Sequence, residues 1–376
     1  MLEYRLMQIS VLLVLIYLFG LFYAIPMLFL VTVLSDRLLD SFGYTRVTYF
    51  DLLFSYDYMI KSFQVSGYME IDKIDYEEFK DVFVVRALTK FRKLRRIIIN
   101  KFGVQLWKDI CIADAIDQII KDETKLGSHE EVMEYLTQIN DQKTDWTKPL
   151  WEFRVVENYT EDTSLLIYKF HHSLMDAVGF ASLMSCVNDN QFASKLNKKF
   201  EQPPLMVHLK AMVNAVKLFV NTLTSKVISF SDESAIKITE TTTDDKYPNR
   251  FFVSKEYDFS KITKGYKQFP NMTFNDFMVC IFGKSLHQLY KEYGIEDAKQ
   301  LGIFILINMR PLPTKYEEVY LDNYFITSPF GVPLSDDINS IFNSIKSVTD
   351  ILKSQEVVYT SYYFCHLILA LVPKIP

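Results

Sequence analysis

Apolar residues recur along the chain with two spacings, one typical of β-strands and one typical of helices. Runs rich in β-branched and aromatic residues predict strands at Ser66–Ile71, Lys148–Glu157, Ser164–Phe170, Phe251–Phe259 and Leu301–Ile307. Helical spacing predicts helices at Val47–Phe63, Glu77–Asn100, Ala177–Val187, Pro204–Val227 and Asn271–Gly294, and Val357–Val372 is a further apolar and aromatic segment. Thr273 and Asp276 are spaced as a capping box, and Gly294 is a typical helix stop.

The N-terminal segment Leu6–Leu34 contains no charged residue. About 20 apolar residues span a bilayer, and a signal peptide has a core of only about 7–15, so the segment predicts a retained transmembrane helix. A long buried helix of a globular protein is the other interpretation. Arg5, Arg37 and Arg46 weakly favour a main body that faces the cytosol. We therefore expect a membrane location, at the endoplasmic reticulum or the plasma membrane.

A polar stretch divides the rest of the chain. Residues 229–250 are rich in Thr, Asp and Glu and end near Pro248, which is typical of a linker. The predicted organisation is a membrane anchor at 1–46, a first lobe at 47–228, this linker, and a second lobe at 251–376.

Composition narrows the classes of function. The 376 residues are 49% hydrophobic and 15% aromatic, enough for a sizeable core. The net charge of −5 disfavours a nucleic-acid partner. Four scattered cysteines without a CxxC pair predict free thiols rather than disulfides or a zinc site. The chain has no HExxH, Walker A or GxGxxG motif, so we predict no metal and no bound cofactor.

The stretch Leu165–Gly179 carries the candidate chemistry. A buried strand is predicted to end at two adjacent histidines, His171 and His172, whose side chains point to opposite faces. One can enter a cleft while the other packs behind it. A neutral imidazole can take a proton from a hydroxyl or amine that attacks a carbonyl, and Asp176 can fix the loop. A histidine pair in the core beside a helix-capping Asp is the other interpretation.

The residues 171–177, HHSLMDA, resemble the HHxxxDG motif of the CoA-dependent acyltransferase superfamily, which includes chloramphenicol acetyltransferase and peptide-synthetase condensation domains. The segment 149–152, PLWE, resembles the Pro-Leu-Trp-Glu segment of the wax ester synthase/diacylglycerol acyltransferases. Asn275 and Asp276 match the Asn-Asp segment of that family, and the residues 308–311, NMRP, match its Asn-x-Arg-Pro segment. The motifs occur in the family's order between about Val47 and Pro376.

This resemblance implies an α/β fold of two chloramphenicol acetyltransferase-like lobes with a tunnel between them. It implies transfer of a fatty acyl group from acyl-CoA, a substrate rather than a cofactor, to a long-chain alcohol or diacylglycerol. The implied catalytic residues are His172 as general base, His171 and Asp176. The implied supporting residues are Arg310, Asn308 and Gly179, and the implied substrate-binding residues are Asn275 and Asp276. The partners would be these substrates and a membrane.

The position of Arg310 gives a structural hypothesis. An arginine at the end of an otherwise apolar strand needs an acidic partner. We expect Arg310 to pair with Asp176 and to hold the histidine loop. Backbone N–H groups around Ala177–Gly179 are the candidate donors to the oxyanion of the reaction.

The sequence departs from the family pattern at Ala177, where the family has Gly. If the position requires a positive φ, a methyl group there is costly, and Gly179 could relieve the strain. The segment Asp322–Leu334 resembles the family's Gly-Asn segment that leads to a Leu-Pro, but Asp322 replaces the Gly. The strands that usually follow the family's late helix are not found after Val357–Val372. These departures leave a second functional class open, a catalytically inactive lipid-binding or scaffolding relative. An amide-forming or acetyl-transferring relative is disfavoured by the predicted anchor.

Overall fold

The computed structural model describes residues 30–55, 63–101, 104–189, 203–224, 251–295, 298–352 and 354–371, with Ser10, Leu13, Ile16, Tyr17, Gly20 and Met27. Strands in these ranges are β1 (Tyr44–Arg46), β2 (Gln64–Asp72), β3 (Arg96–Lys101), β4 (Val104–Asp109), β5 (Ile119–Lys121), β6 (Trp151–Val156), β7 (Thr163–His171), β8 (Gln300–Asn308) and β9 (Phe325–Pro333). Helices are α1 (30–41), α2 (Tyr49–Phe54), α3 (Tyr76–Phe83), α4 (Ile112–Ile116), α5 (His129–Asn140), α6 (Ala177–Val187), α7 (Leu205–Thr224), α8 (Phe259–Tyr266), α9 (Phe274–Glu292), α10 (Ile338–Leu352) and α11 (Gln355–Leu371).

The histidine strand lies inside a four-stranded sheet of order β2-β7-β6-β5. β7 pairs antiparallel with both β2 and β6, which confirms the predicted β6–β7 hairpin. Its C-terminal end is held on both sides, because His171 N donates to Leu150 O at 2.9 Å and His172 N donates to Phe63 O at 2.8 Å. The site loop therefore begins at a fixed point of the sheet.

One face of this sheet packs on an aromatic core. Trp151 is 3% exposed, and its ring lies 5.3 Å from that of Phe83. Its indole nitrogen donates to Leu94 O at 2.8 Å, so the buried N–H is satisfied. The role predicted for Trp151, that of a core anchor for β6, is confirmed.

The segment 77–100 folds differently from the single helix predicted. α3 ends at Phe83, a π-helical turn covers Val84–Leu88, a 3₁₀ turn covers Arg92–Arg95, and β3 follows in a second sheet of order β1-β4-β3. The β-branched run of β3 pairs with β4, the strand that follows it directly in the chain. Arg92 and Arg96 both bond the Asp109 carboxylate of β4, so pairing across the sheet overrides the helical pattern.

The second lobe contains the antiparallel pair β8-β9, with α9 and α10 on one face. α9 has the predicted capping box between Thr273 and Asp276, and Gly294 follows it at φ 71°. The predicted strand Phe251–Phe259 is wrong: residues 251–258 have no regular structure, and Asp258 caps α8 instead. The predicted linker 229–250 lies outside the described residues.

The structure does not support the transmembrane helix that was predicted near the N-terminus. Within the described part of the chain, no helix is both long and apolar enough to cross a membrane. The continuous helical stretch, α1, carries Asp36 and Asp40, which pair with Arg46 and Arg92 of the first lobe. The predicted membrane location is therefore wrong on this finding. Most of Leu6–Leu34, which was predicted to be the anchor, lies outside the described residues.

Gly283 sets how closely α9 approaches β9. A Cβ at this position would lie 2.7 Å from Val332 Cγ1 and 2.9 Å from the backbone oxygen of Pro333. We expect Gly283→Ala to lower the free energy of unfolding by about 1–3 kcal/mol. The added methyl group would contact backbone, which cannot move aside as a flexible side chain can. Gly265→Ala in α8, where the added Cβ meets only Phe277 at 3.9 Å, is the control and should be neutral or stabilising. Urea unfolding compares the two, and equal effects would contradict the packing argument.

Candidate active site

The two adjacent histidines lie on opposite sides of the strand end, as their spacing predicted. His171 is 2% exposed, and its Nδ1 accepts a hydrogen bond from the backbone N–H of Ser173 at 3.2 Å. Its ring packs against Trp146, with 4.9 Å between centroids. It borders a small polar pocket of about 180 Å³ formed with Gln64, Leu150 and Lys169, among others. His171 thus packs behind the loop.

His172 lies between aromatic rings of both lobes. Its ring stacks on Phe54 of α2 with 3.9 Å between centroids, and Phe325 of β9 lies 6.0 Å away. Nδ1 is 2.9 Å from Asn323 Oδ1, while Nε2 has no hydrogen-bond partner among the residues described. Burial lowers the pKa of His172 below its ordinary 6.5, against smaller opposing effects from the backbone of His172 itself, from Asn323 and from Asp176. The ring is therefore biased toward the neutral form.

Asp176 connects three parts of the molecule. As the N-cap of α6, its Oδ1 accepts from Gly179 N at 2.8 Å. The same oxygen is paired with the Arg310 guanidinium, and Oδ2 accepts from Tyr324 N at 3.0 Å. The Asp176 and Arg310 side chains are only 7% and 10% exposed. The pair expected from the sequence is present, and it joins the histidine loop to the second lobe.

Arg310 and Asn308 fix the segment that faces His172. Arg310 Nη1 donates to Asp322 O at 2.8 Å, on the residue just before Asn323. Asn308 Nδ2 donates to Arg310 O at 2.6 Å and so closes the turn after β8. The backbone of Asn323 is thereby held from both flanks, by Arg310 at residue 322 and by Asp176 at residue 324.

The departure from Gly at position 177 carries no strain. Ala177 is exposed and begins α6, and Asn271 is the non-glycine residue that has a positive φ in the described ranges. The close approach falls at Gly179, where a Cβ would lie 3.0 Å from Met175 Cβ and 3.4 Å from Asp176 Oδ1. Because Gly179 N–H is bonded to Asp176, it is not an available oxyanion donor.

The sequence analysis gave no role at the site to three polar residues, although one of them, Asn323, lies in the segment that resembles the family's Gly-Asn. Asn323, 4% exposed, bonds His172 and also Asp51 of α2, and Asp51 pairs with Lys93 at 2.8 Å. The available signal was a lone acidic residue inside the apolar helix run YFDLLF. A buried charge of this kind requires a partner, but the sequence does not say which one.

The two residues predicted to bind substrate have unequal surroundings. Asp276 is 2% exposed and is engaged in the capping box of α9, whereas Asn275 is exposed. Their role in binding stays a prediction. Over the described ranges, no group of three or more His, Cys, Asp or Glu side chains is placed to hold a metal ion.

The comparison with known families covers this site. The family model of the wax ester synthase/diacylglycerol acyltransferase catalytic domain matches residues 124–244, which include both histidines and Asp176. Arabidopsis thaliana wax ester synthase/diacylglycerol acyltransferase 4 is 23% identical over 301 residues, 67% of this chain and 57% of that protein. Wax ester synthase/diacylglycerol acyltransferase 9 of the same plant is 23% identical over 280 residues, 63% and 58% of the two chains.

The chain is a relative of the wax ester synthase/diacylglycerol acyltransferases. It spans 57% and 58% of the length of these two curated relatives. Among solved structures, the starter condensation domain of rhizomide synthetase, in complex with C8-CoA and Leu-SNAC, aligns with a TM-score of 0.54 at 9% identity, covering 90% of this chain and 77% of that one. The predicted α/β acyltransferase-type fold is confirmed, and the tunnel between lobes stays a prediction.

Proposed function

We propose that this wax ester synthase/diacylglycerol acyltransferase relative is an O-acyltransferase. It would transfer a fatty acyl group from acyl-CoA to the hydroxyl of a long-chain alcohol or of diacylglycerol. His172 is the general base. The observation that carries the proposal is the His172 ring between aromatic rings of the two lobes: its Nδ1 is bonded to Asn323, and its Nε2 has no hydrogen-bond partner among the described residues.

The reaction needs one proton acceptor and no protein nucleophile. His172 Nε2 takes the proton of the acceptor hydroxyl while that oxygen attacks the thioester carbonyl. The tetrahedral intermediate collapses with cleavage of the carbon–sulfur bond. The departing CoA thiolate receives the proton from Nε2, so the products are an ester and free CoA. Because the proton returns from the same nitrogen, the ring ends the cycle neutral.

The surroundings of His172 favour this role over a purely structural one. A histidine that only filled space would not need Nδ1 bound to Asn323, a side chain that is itself bonded to the buried Asp51 carboxylate, which in turn pairs with Lys93. Burial disfavours the imidazolium, so the ring is in its basic form at neutral pH. Phe54 and Phe325 offer apolar contact to a fatty chain rather than to a polar acceptor.

The experiment that tests the function presents the purified protein with radiolabelled long-chain acyl-CoA and one acceptor at a time in mixed detergent micelles. Hexadecanol, a diacylglycerol and a long-chain amine are the acceptors. A labelled wax ester or triacylglycerol is the expected product. CoA release without ester would indicate a hydrolase, amide formation would indicate a different acceptor class, and no CoA release would favour the inactive, lipid-binding relative.

The lowered pKa of His172 predicts the pH profile of the reaction. The base must be neutral, so kcat/KM is retained as pH falls until the pKa of His172 is reached. Because that pKa lies below 6.5, the acid limb should have its midpoint below pH 6.5. Phe54→Ala opens the ring to water and should move the midpoint up toward 6.5. A midpoint above 6.5 in the unaltered protein would contradict the assignment of His172 as the base.

A further inference from the structure

Asn323 is the direct partner of His172, and its own amide orientation is determined by what lies behind it. Its Nδ2 donates to Asp51 Oδ1 at 2.8 Å and to the backbone oxygen of His172 at 2.7 Å. Both partners are acceptors only. An amide turned the other way would place Oδ1 against a carboxylate and a carbonyl, with no donor for either. Oδ1 therefore has to face His172.

The orientation of Asn323 determines where the imidazole proton resides. Oδ1 can only accept, so the hydrogen bond of 2.9 Å to Nδ1 requires the proton to be on Nδ1. In the neutral ring Nε2 then carries the lone pair. The reverse tautomer would have a protonated Nε2, which cannot take a proton from an acceptor hydroxyl.

Asp51 can fix the orientation of the Asn323 amide because its own carboxylate is held in place and accepts at Oδ1. Its side chain is 1% exposed, with Lys93 2.8 Å from Oδ2 and Asn323 at Oδ1, so donors face both oxygens. Burial raises the pKa of Asp51, and the Lys93 ammonium and the Asn323 amide oppose that effect. The backbone oxygen of Asp51 also accepts from Ser173 Oγ at 2.8 Å, which ties α2 to the histidine loop.

We infer that Asp51, acting through Asn323, is a positioning residue that holds His172 in the tautomer protonated on Nδ1. Asp51 lies 121 positions before the histidine in the chain and outside every motif identified in the sequence. The kinetic part of this inference rests on the proposed function, whereas the tautomer itself does not.

The primary test is nuclear magnetic resonance of protein labelled with ¹⁵N-histidine, recorded at neutral pH, with the His172 signals assigned by their loss in His172→Gln. The unaltered protein should show a protonated Nδ1 and a bare Nε2. Asp51→Asn replaces an obligate acceptor by an amide that can also donate, so both tautomers should appear. Asn323→Ala breaks the next link but keeps the Asp51–Lys93 pair, and it should give the same mixture.

Asp322→Asn is the matched control. Asp322 Oδ1 contacts the same Lys93 at 3.1 Å but makes no side-chain bond to Asn323 in the described structure. The same change of charge beside Lys93 should leave the tautomer on Nδ1. Urea unfolding of all three variants separates loss of folding from loss of orientation.

The kinetic arm uses the acyl-transfer assay. Asp51→Asn should lower kcat by about 10–100-fold with KM changed less than about threefold, since the tautomer affects proton transfer rather than binding. A protonated Nε2 in the unaltered protein, or an unchanged spectrum in both Asp51→Asn and Asn323→Ala, would overturn the inference. If no acceptor yields product while the spectra behave as expected, only the proposed function fails.

Discussion

His172→Ala should lower kcat/KM for acyl transfer by about 10²–10⁴-fold, the usual contribution of a general base. The substitution removes Nε2, the proposed proton acceptor, and no other histidine bonds Asn323 in the part of the chain the structure describes. KM should change little, because the ring contributes to the transition state more than to binding of the acyl chain. Steady-state rates with saturating acyl-CoA and a varied acceptor measure the effect.

The control for this prediction is a histidine of the same lobe away from the loop. His129 begins α5, is exposed, and contacts Tyr68 rather than any site residue. His129→Ala should leave kcat/KM within about twofold, as expected for a surface substitution. Retention of full activity in His172→Ala, with product formed at the rate of the unaltered protein, would remove His172 from the mechanism.

Residual activity in His172→Ala is also informative. Positioning of the two substrates and stabilisation of the oxyanion act without the base, so some rate above background should persist. Water would then have to accept the proton of the acceptor hydroxyl in place of the imidazole, and the acid limb of the pH profile should disappear with the ring. Loss of this limb distinguishes removal of the base from a general loss of folded protein.

The sequence predicted the site's own strand and helix well because their signals are local. β7 and α6 are a β-branched run and an apolar helix, separated by the loop His172–Asp176. The ion pair of Asp176 and Arg310 was also predictable, since a lone arginine after an apolar strand requires a buried acid. Local pattern and elementary electrostatics were sufficient in these cases.

Other parts of the fold depend on partners outside their own segment and were predicted wrongly or missed. The run Arg96–Lys101 is a strand because β4 and Asp109 pair with it, although its own sequence continues a helical period. Asp51 and Asn323 are 272 positions apart and meet only in the folded chain. A single sequence shows that each needs a partner, and it gives no means of matching the two.

Arg310→Gln and Asp176→Asn should lower the free energy of unfolding by about the same amount. The reason is that the two side chains form one buried ion pair between the lobes. Removing one partner of such a pair leaves an uncompensated buried charge, which costs about 3–5 kcal/mol of unfolding free energy. Asp176→Asn keeps an N-cap for α6, so it tests the charge rather than the cap. Arg310→Gln keeps a donor for Asp322 O.

The unfolding free energy of the double variant, Asp176→Asn with Arg310→Gln, tests this directly. With both charges removed, no isolated charge remains, so its loss of unfolding free energy should be smaller than the sum of the two single losses. Arg154→Gln, which breaks the pair with Asp122 inside the first lobe, is the control: it should destabilise the fold without changing kcat of the folded protein.

We expect kcat, like the unfolding free energy, to fall in both the Asp176→Asn and the Arg310→Gln variant. Each single variant releases one flank of Asn323, because Arg310 holds Asp322 O and Asp176 holds Tyr324 N. Either release lets the Asn323 amide move away from Nδ1, so kcat should fall in both. Strictly additive stability losses, or an Arg310→Gln protein with unimpaired turnover, would show that the pair does not hold the histidine loop. The pair therefore links the fold to the chemistry: it positions the backbone on which the partner of His172 is carried.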